Sequence, residues 1–243
     1  MEPLRPNNCY HIFNHANRFE NIFNEDRNFQ YFLEKYIEYI CPIAETYAYC
    51  LMPNHFHLVV RIRKREVIEA LIRSRKNFSN RFFDVEQDFS NRFFDVEQDF
   101  SKVSFDFGKV EVEDEVKIEN NEIEKFLSKQ FSNLFSCYTQ SFNKMYKRRG
   151  SLFIKNFKRE AILDKEYFLN AIVYTHRNPI HHGFCTQFTD WRYSSYSEIS
   201  EQKSDIIEYI KLLKVFDGHS NFIDFHKQYL DKFNQSTELE API

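Results

Sequence analysis

The hydrophobic pattern changes period several times along the chain. Residues Cys9 to His15 (CYHIFNH) carry the aromatic and β-branched side chains of a strand. After Asn24, Glu25 and Asp26, which suit a helix start, the run NFQYFLEKYIEYI spaces Phe29, Phe32, Leu33, Tyr36, Ile37 and Ile40 as one helical face, and Pro42 ends it. Ala44 to Leu51 reads as a strand, Met52-Pro53-Asn54 as a tight turn and His55 to Arg61 (HFHLVVR) as the hairpin partner. Glu122 to Met145 returns to helical spacing, with Phe126, Phe131, Leu134, Phe135, Tyr138 and Phe142 as its buried stripe. Short strands are expected at Leu152 to Ile154 and Arg159 to Ile162. Asp164 caps a helix through Arg177 that Pro179 should end, because proline disfavours helical backbone at the residue before it. Helices from Ser204 to Phe216 and from Asn221 to Phe233 follow. This order predicts an α+β sandwich, an antiparallel sheet covered on one face by helices.

Between the hairpin and the long helix the pattern is lost. SNRFFDVEQDF at Ser79 to Phe89 is repeated letter for letter at Ser90 to Phe100, and two copies are too few for a solenoid. The stretch from about Lys64 to Asn121 therefore reads as a partly helical insertion. Asp84 to Lys125 holds 14 acidic and 5 basic residues, a local charge of −9, which leaves +6 for the rest of a chain whose formal net charge is −3. Lys144, Lys147, Arg148, Arg149, Lys155, Lys158 and Arg159 lie close together with no acidic residue among them, interleaved with Tyr146, Phe153 and Phe157. Such a stretch is either a nucleic-acid track or a solvated loop and strand.

At 243 residues the chain suffices for one large domain or two small ones. Mean hydropathy of −0.59 and the lack of a long apolar run argue against a membrane partner. With no secretory pattern in MEPLRPNNCYHIF, the expected location is cytoplasmic. Five scattered cysteines without a CxxC pair argue against a disulfide scaffold or a zinc ribbon. The 28 Phe and 14 Tyr supply a core and rings to spare for base stacking.

Two constellations carry chemistry. In His55-Phe56-His57 the strand period sends both imidazoles to one face and Phe56 to the other, a chelating arrangement for a divalent metal. The plain alternative is two partly exposed histidines. In Tyr174-Thr175-His176-Arg177-Asn178-Pro179 the i, i+4 spacing projects Tyr174 and Asn178 together, a hydroxyl nucleophile beside an amide that can complete a metal shell. Here the plain alternative is a core tyrosine and a helix-ending asparagine.

MPNHFHLVVR, followed by FSNLFSCYTQSFNKMYKRRGSLFIKNFKRE, then YTHRNPIHHGF and DWRYSSY, resembles the single-tyrosine HUH transposases, especially the REP-associated tyrosine transposases, from about Tyr10 to Tyr196. The acidic insertion and the helices after about Lys203 depart from that pattern. The resemblance implies a ferredoxin-like antiparallel sheet with helices on one face, a catalytic unit over 1–200 (insertion about 64–121) and a helical extension over 201–243. It implies Tyr174 as nucleophile, His55, His57 and Asn178 as ligands of Mg²⁺ or Mn²⁺, and single-stranded or hairpin DNA as partner, contacted by the seven basic residues. Cleavage would leave a 5′-phosphotyrosine and a free 3′-OH. His176, two positions from Tyr174, is assigned an accessory role in DNA contact or structure, and Trp191 a packing role. The site forms within one chain or across a homodimer. A noncatalytic DNA-binding regulator and a metalloenzyme acting on a small molecule are the competing readings.

Overall fold

The structure, a computed structural model, describes residues 2–18, 20–79 and 118–235, and the side chains of all of these except 76–79 and 231–235. The tandem repeat falls outside the described residues, save its first serine.

Four strands, β1 (Cys9–His15), β2 (Ala44–Met52), β3 (His55–Ile62) and β4 (Lys158–Ile162), form one antiparallel sheet in the order β2-β3-β1-β4. Helix α1 (Asp26–Tyr39) connects β1 to β2, and α2 (Arg65–Ser79) and α3 (Asn120–Met145) lie between β3 and β4. Without α2 this is the ferredoxin-like β-α-β-β-α-β order the sequence predicts. Pro53-Asn54 closes the β2-β3 hairpin, and Glu25 and Asn28 cap α1 reciprocally.

Strand alternation divides the sheet chemically. Tyr10, Ile12, Phe56, Leu58 and Val60 face α1 and α3; His11, Phe13, His15, His55 and His57 face the other way. On the apolar side Phe56 packs against Phe32 of α1 and Phe135 of α3, with ring centroids 5.4 and 5.6 Å apart. Of the expected α3 stripe, Phe126 is only half-buried, beneath the Arg75 guanidinium, and Ile123 and Leu127 take the deep positions. Arg65 of α2 donates to Asn120 Oδ1 and to the Ile118 carbonyl, so both ends of the insertion meet at one side chain.

The opposite face is covered as well. Helix α4 (Lys165–His181) lies across it, so helices on one face describe the ferredoxin-like unit but not the whole sheet. The Asp164 carboxylate caps α4 at Tyr167 N–H (2.7 Å), as the sequence predicts. The expected stop before Pro179 does not occur. Proline lacks an N–H for the Thr175 carbonyl, yet the helix continues to His181 and closes when Gly183 (φ +72°) turns the chain. Phe184 N–H then donates to the Pro179 carbonyl (2.9 Å) and Gly183 N–H to that of Ile180 (3.0 Å).

The free edge of β2 is occupied by later chain. Leu51 N–H donates to the Tyr193 carbonyl and Ser195 N–H to that of Tyr49, while Glu208 N–H reaches the Thr46 carbonyl. That last pairing holds 204–208 out of a helix, so the helix expected from Ser204 is α6 (Tyr209–Val215), preceded by the short α5 (Tyr196–Ser200). The strand expected at Leu152 to Ile154 is a single bridge between Phe153 and Ala16. Helix α7 (His219–Gln235) packs on α4, and Phe216 and Phe222 join the same core as the sheet.

Candidate metal and nucleophile site

His55 and His57 are buried to 3% and 4% exposure, against the reading of two partly exposed rings. They gain this burial from α4, which crosses above them. Asn178 sits inside the helix, buried, with Oδ1 2.7 Å from His55 Nε2. Tyr174, one turn earlier, places its ring edge-on to His57, centroids 5.3 Å apart, and is 38% exposed. Tyr174 is therefore no core residue, and Asn178 no helix terminator. Among the described residues none is hydrogen-bonded to the Tyr174 hydroxyl, which leaves it open toward solvent.

Three further histidines complete the cluster. Antiparallel register places His15 opposite His55, their rings stacked at 4.8 Å, and His11 Nε2 lies 2.9 Å from His57 Nδ1. His182, just past the end of α4, sets its ring 5.1 Å from that of His55. None of the three was singled out from the sequence. The one available signal was the four-residue spacing of His11 and His15 on a predicted strand, which puts them on one face.

Burial keeps three of these rings, His11, His55 and His57, neutral near pH 7. Desolvation pushes His11 and His55 down to about 4 and His57 well below its ordinary value. Their lone pairs are thus available for a metal. For His57 to ligate through Nε2 its proton must sit on Nδ1, where His11 Nε2 accepts it. His55 meets an amide oxygen at each nitrogen, Asn54 Oδ1 at Nδ1 (2.8 Å) and Asn178 Oδ1 at Nε2. A neutral imidazole has one N–H to give, so donation to Asn54 leaves Nε2 and Asn178 Oδ1 facing each other as two lone pairs. A cation shared by them, or an amide turned to offer its NH₂, removes that conflict. Two ligands about 2.1 Å from a small divalent ion and at right angles are about 3.0 Å apart, close to the separation seen. Among the described residues no three His, Cys, Asp or Glu side chains are grouped to hold a metal. The third donor would be the Asn178 amide oxygen, and two imidazoles with one amide are a donor set that Mn²⁺ or Mg²⁺ could accept.

The basic residues divide. Lys144, Lys147, Arg149, Lys155 and Lys158 are exposed, and the β1-β4 register places Lys158 beside Phe13 on the histidine face. Arg148 is instead spent internally, paired with Glu20 and donating to the Ser151 carbonyl (2.8 Å) and Asn143 Oδ1 (2.8 Å). Arg159 turns to the α3 side, over the Phe157 ring and 3.1 Å from Ser128 Oγ. Phe153 and Phe157 are buried and Tyr146 bonds Glu25, so the interleaved aromatics are not free for stacking. A polar groove of about 500 Å³ runs beside this segment, lined by Ser128, Ser132 and Ser136 at one-turn intervals on α3 and by Lys155, Asn156 and Arg159.

His176 is not at the site. It is 1% exposed on the far side of α4, bonded to Ser195 and His226, which excludes direct DNA contact. Trp191 packs on Phe184 and donates its indole N–H to the Leu51 carbonyl, a structural role.

Residues 6–121 match the family model described as transposase IS200 like. The matched segment holds β1 to β3 with His11, His55 and His57; Tyr174 and Asn178 lie beyond it. A solved structure, described as the REP-associated tyrosine transposase bound to a REP hairpin, is similar at 13% identity with a TM-score of 0.44, covering 85% of this chain and 90% of that one. No curated protein matches the chain. Among the described residues no helix is long and apolar enough to cross a membrane.

Proposed function

We propose that this protein is a metal-dependent nickase and strand transferase acting on single-stranded or hairpin DNA, with the reacting groups in residues 1–200 and 201–243 as an extension whose described helices, α6 and α7, join the same core. The observation that carries the reading is the meeting of an accessible Tyr174 with the buried His55, His57 and Asn178 across the α4-sheet interface. His55, His57 and Asn178 would hold Mn²⁺ or Mg²⁺, which when bound polarises the scissile phosphate and offsets charge developing on its oxygens.

Tyr174 Oη attacks the phosphorus. The new P–O bond links the tyrosine to the 5′ side of the break, the P–O3′ bond opens, and the departing 3′ oxygen takes up a proton to become a free 3′-OH. The phenol proton leaves to the water that reaches the exposed ring. Because the phosphodiester energy is kept in the phosphotyrosine, a 3′-OH of another strand can reverse the step and rejoin DNA. The flanking sheet face and helix close the bottom of the site, so DNA approaches from the Tyr174 side, with Lys158 and the other exposed lysines placed to meet phosphates. The chain works in the cytoplasm on this reading, as one unit or as a homodimer.

The test is incubation of the purified chain with labelled hairpin DNAs from the flanks of its gene, with Mn²⁺, Mg²⁺ or EDTA. A denaturant-resistant adduct that needs metal and disappears in Tyr174→Phe is expected. An adduct that persists in Tyr174→Phe refutes the assignment, and binding without an adduct favours a noncatalytic regulator.

A further inference from the structure

We infer that His226 of helix α7 is a positioning residue for the reaction centre, acting through His176 and Ser195 to hold α4 at the one placement that brings Tyr174 and Asn178 to the histidine pair. The inference rests on the proposed strand-transfer reading for its consequence in catalysis, and on geometry alone for its structural part.

A continuous chain of hydrogen bonds runs from the sheet to the last helix. Tyr49 N–H on β2 donates to Ser195 Oγ (2.9 Å), Ser195 Oγ lies 2.8 Å from His176 Nε2, and His176 Nδ1 lies 2.9 Å from His226 Nε2. His226 Nδ1 then reaches the Phe222 carbonyl (2.8 Å). A carbonyl only accepts, so Nδ1 of His226 carries its proton and its Nε2 accepts. That forces the proton of His176 onto Nδ1, which leaves Nε2 to accept from the Ser195 hydroxyl. Every donor has an acceptor and the whole chain has one direction.

Its location is the point. Tyr49 lies next to Cys50, and Cys50 pairs with His57 across the hairpin. The chain therefore ties the far side of α4 to the strand adjoining the metal-ligand pair, while Tyr174 and Asn178 occupy the near side. Arg177, with its guanidinium 5.5 Å from the Tyr229 ring, adds a second link between α4 and α7. An apolar core would be cheaper here: His176 and His226 are 1% and 0% exposed, and His226 is surrounded by Phe188, Tyr196, Phe216 and Phe222. Apolar contacts tolerate a sliding helix, whereas a directional chain with four fixed partners is satisfied at one axial and rotational position. The C-terminal helix thereby becomes part of the scaffold of the site, although it contributes no reacting group.

The experiment compares His226→Leu, which deletes the acceptor, with His226→Gln, whose amide oxygen can still accept from His176, in the full chain with Mn²⁺ and hairpin DNA. Single-turnover adduct formation should slow about ten- to a hundredfold in His226→Leu. Hairpin affinity should stay within about twofold, because no DNA contact is removed. His226→Gln should recover most of the rate. In the DNA-free protein the nuclear Overhauser contact between the Tyr174 and His57 rings should weaken in His226→Leu and persist in His226→Gln. Equal rates in His226→Leu and the original chain, equal slowing in both variants, or affinity falling in step with rate would overturn the inference. Should the unsubstituted chain form no adduct, the strand-transfer reading fails by itself; the ring contact then decides, and its survival in His226→Leu defeats the positioning role. If His226→Leu does not fold, Ser195→Ala breaks the other end of the chain and is read the same way.

Discussion

Lowering the pH should destabilise the protein through His226, and the size of the effect follows from its surroundings. Complete burial outweighs the Phe222 carbonyl contact and pushes the His226 imidazole down to about 3, against 6.5 for an ordinary histidine. A folded-state value below the unfolded one means that between pH 6.5 and 3 the unfolded chain binds the extra proton and the folded chain does not. The stabilisation is therefore whole above about pH 6.5 and shrinks as pH falls. From pH 7 to pH 4.5 the loss is about 2.5 kcal/mol from this one group, at about 1.4 kcal/mol per pH unit. Because pH 4.5 lies well above the folded-state value, that figure hardly depends on where the value falls. For a chain of this size it corresponds to about 5 to 10 °C in melting temperature. Other buried histidines contribute in the same direction, so the assay is a difference: thermal melting of the original chain and of His226→Gln at pH 7 and pH 4.5. The variant is expected to be the less stable at pH 7 and to recover about 2.5 kcal/mol relative to the original chain by pH 4.5. Parallel stability profiles for the two proteins would refute the claim that His226 is held neutral.

Four other outcomes are expected. Phe56→Ala should cost about 3–5 kcal/mol by denaturant unfolding, since the ring is wholly buried against Phe32 and Phe135; a loss under about 1 kcal/mol would contradict the alternation that sets Phe56 opposite the histidines. Asn178→Leu should weaken Mn²⁺ binding by at least about tenfold in a titration followed by electron paramagnetic resonance, and unchanged affinity would remove Asn178 from the ligand set. Neutralising Lys155 and Lys158 should reduce the salt dependence of single-strand binding by about 0.7 per lost phosphate contact. Arg148→Ala should instead lower the melting temperature with little change in that slope, because its guanidinium is engaged by Glu20, Asn143 and Ser151.

Local pattern was enough to place the candidate site residues on their elements. Strand β1 runs over Cys9–His15 as read from its residues, His55 and His57 share a face because strand side chains alternate, and Tyr174 and Asn178 share a face because a helix repeats every 3.6 residues. These are short-range rules, and no distant residue is needed to apply them. The strand-helix-strand-strand order and the later helix and strand were legible for the same reason: each element declared its period on either side of the insertion.

What lay beyond the sequence was every property that depends on which surfaces meet. Spacing could not tell whether Tyr174 was a core residue, because exposure is set by α4 crossing the sheet. Nor could it show that His11 supports His57, a matter of register between strands more than forty residues apart. Pro179 was read as a stop because the rule for the preceding residue is local. In the protein the packing of α4 on the sheet and the closing turn at Gly183 outweigh that preference. Arg148 looked like the other basic residues until Glu20 appeared beside it, and helix spacing turns His176 away from Tyr174 but could not name Ser195 and His226 as its partners. The sequence by itself determined which side chains share a face; tertiary structure decided which faces are covered, and burial holds His11, His55 and His57 neutral near pH 7.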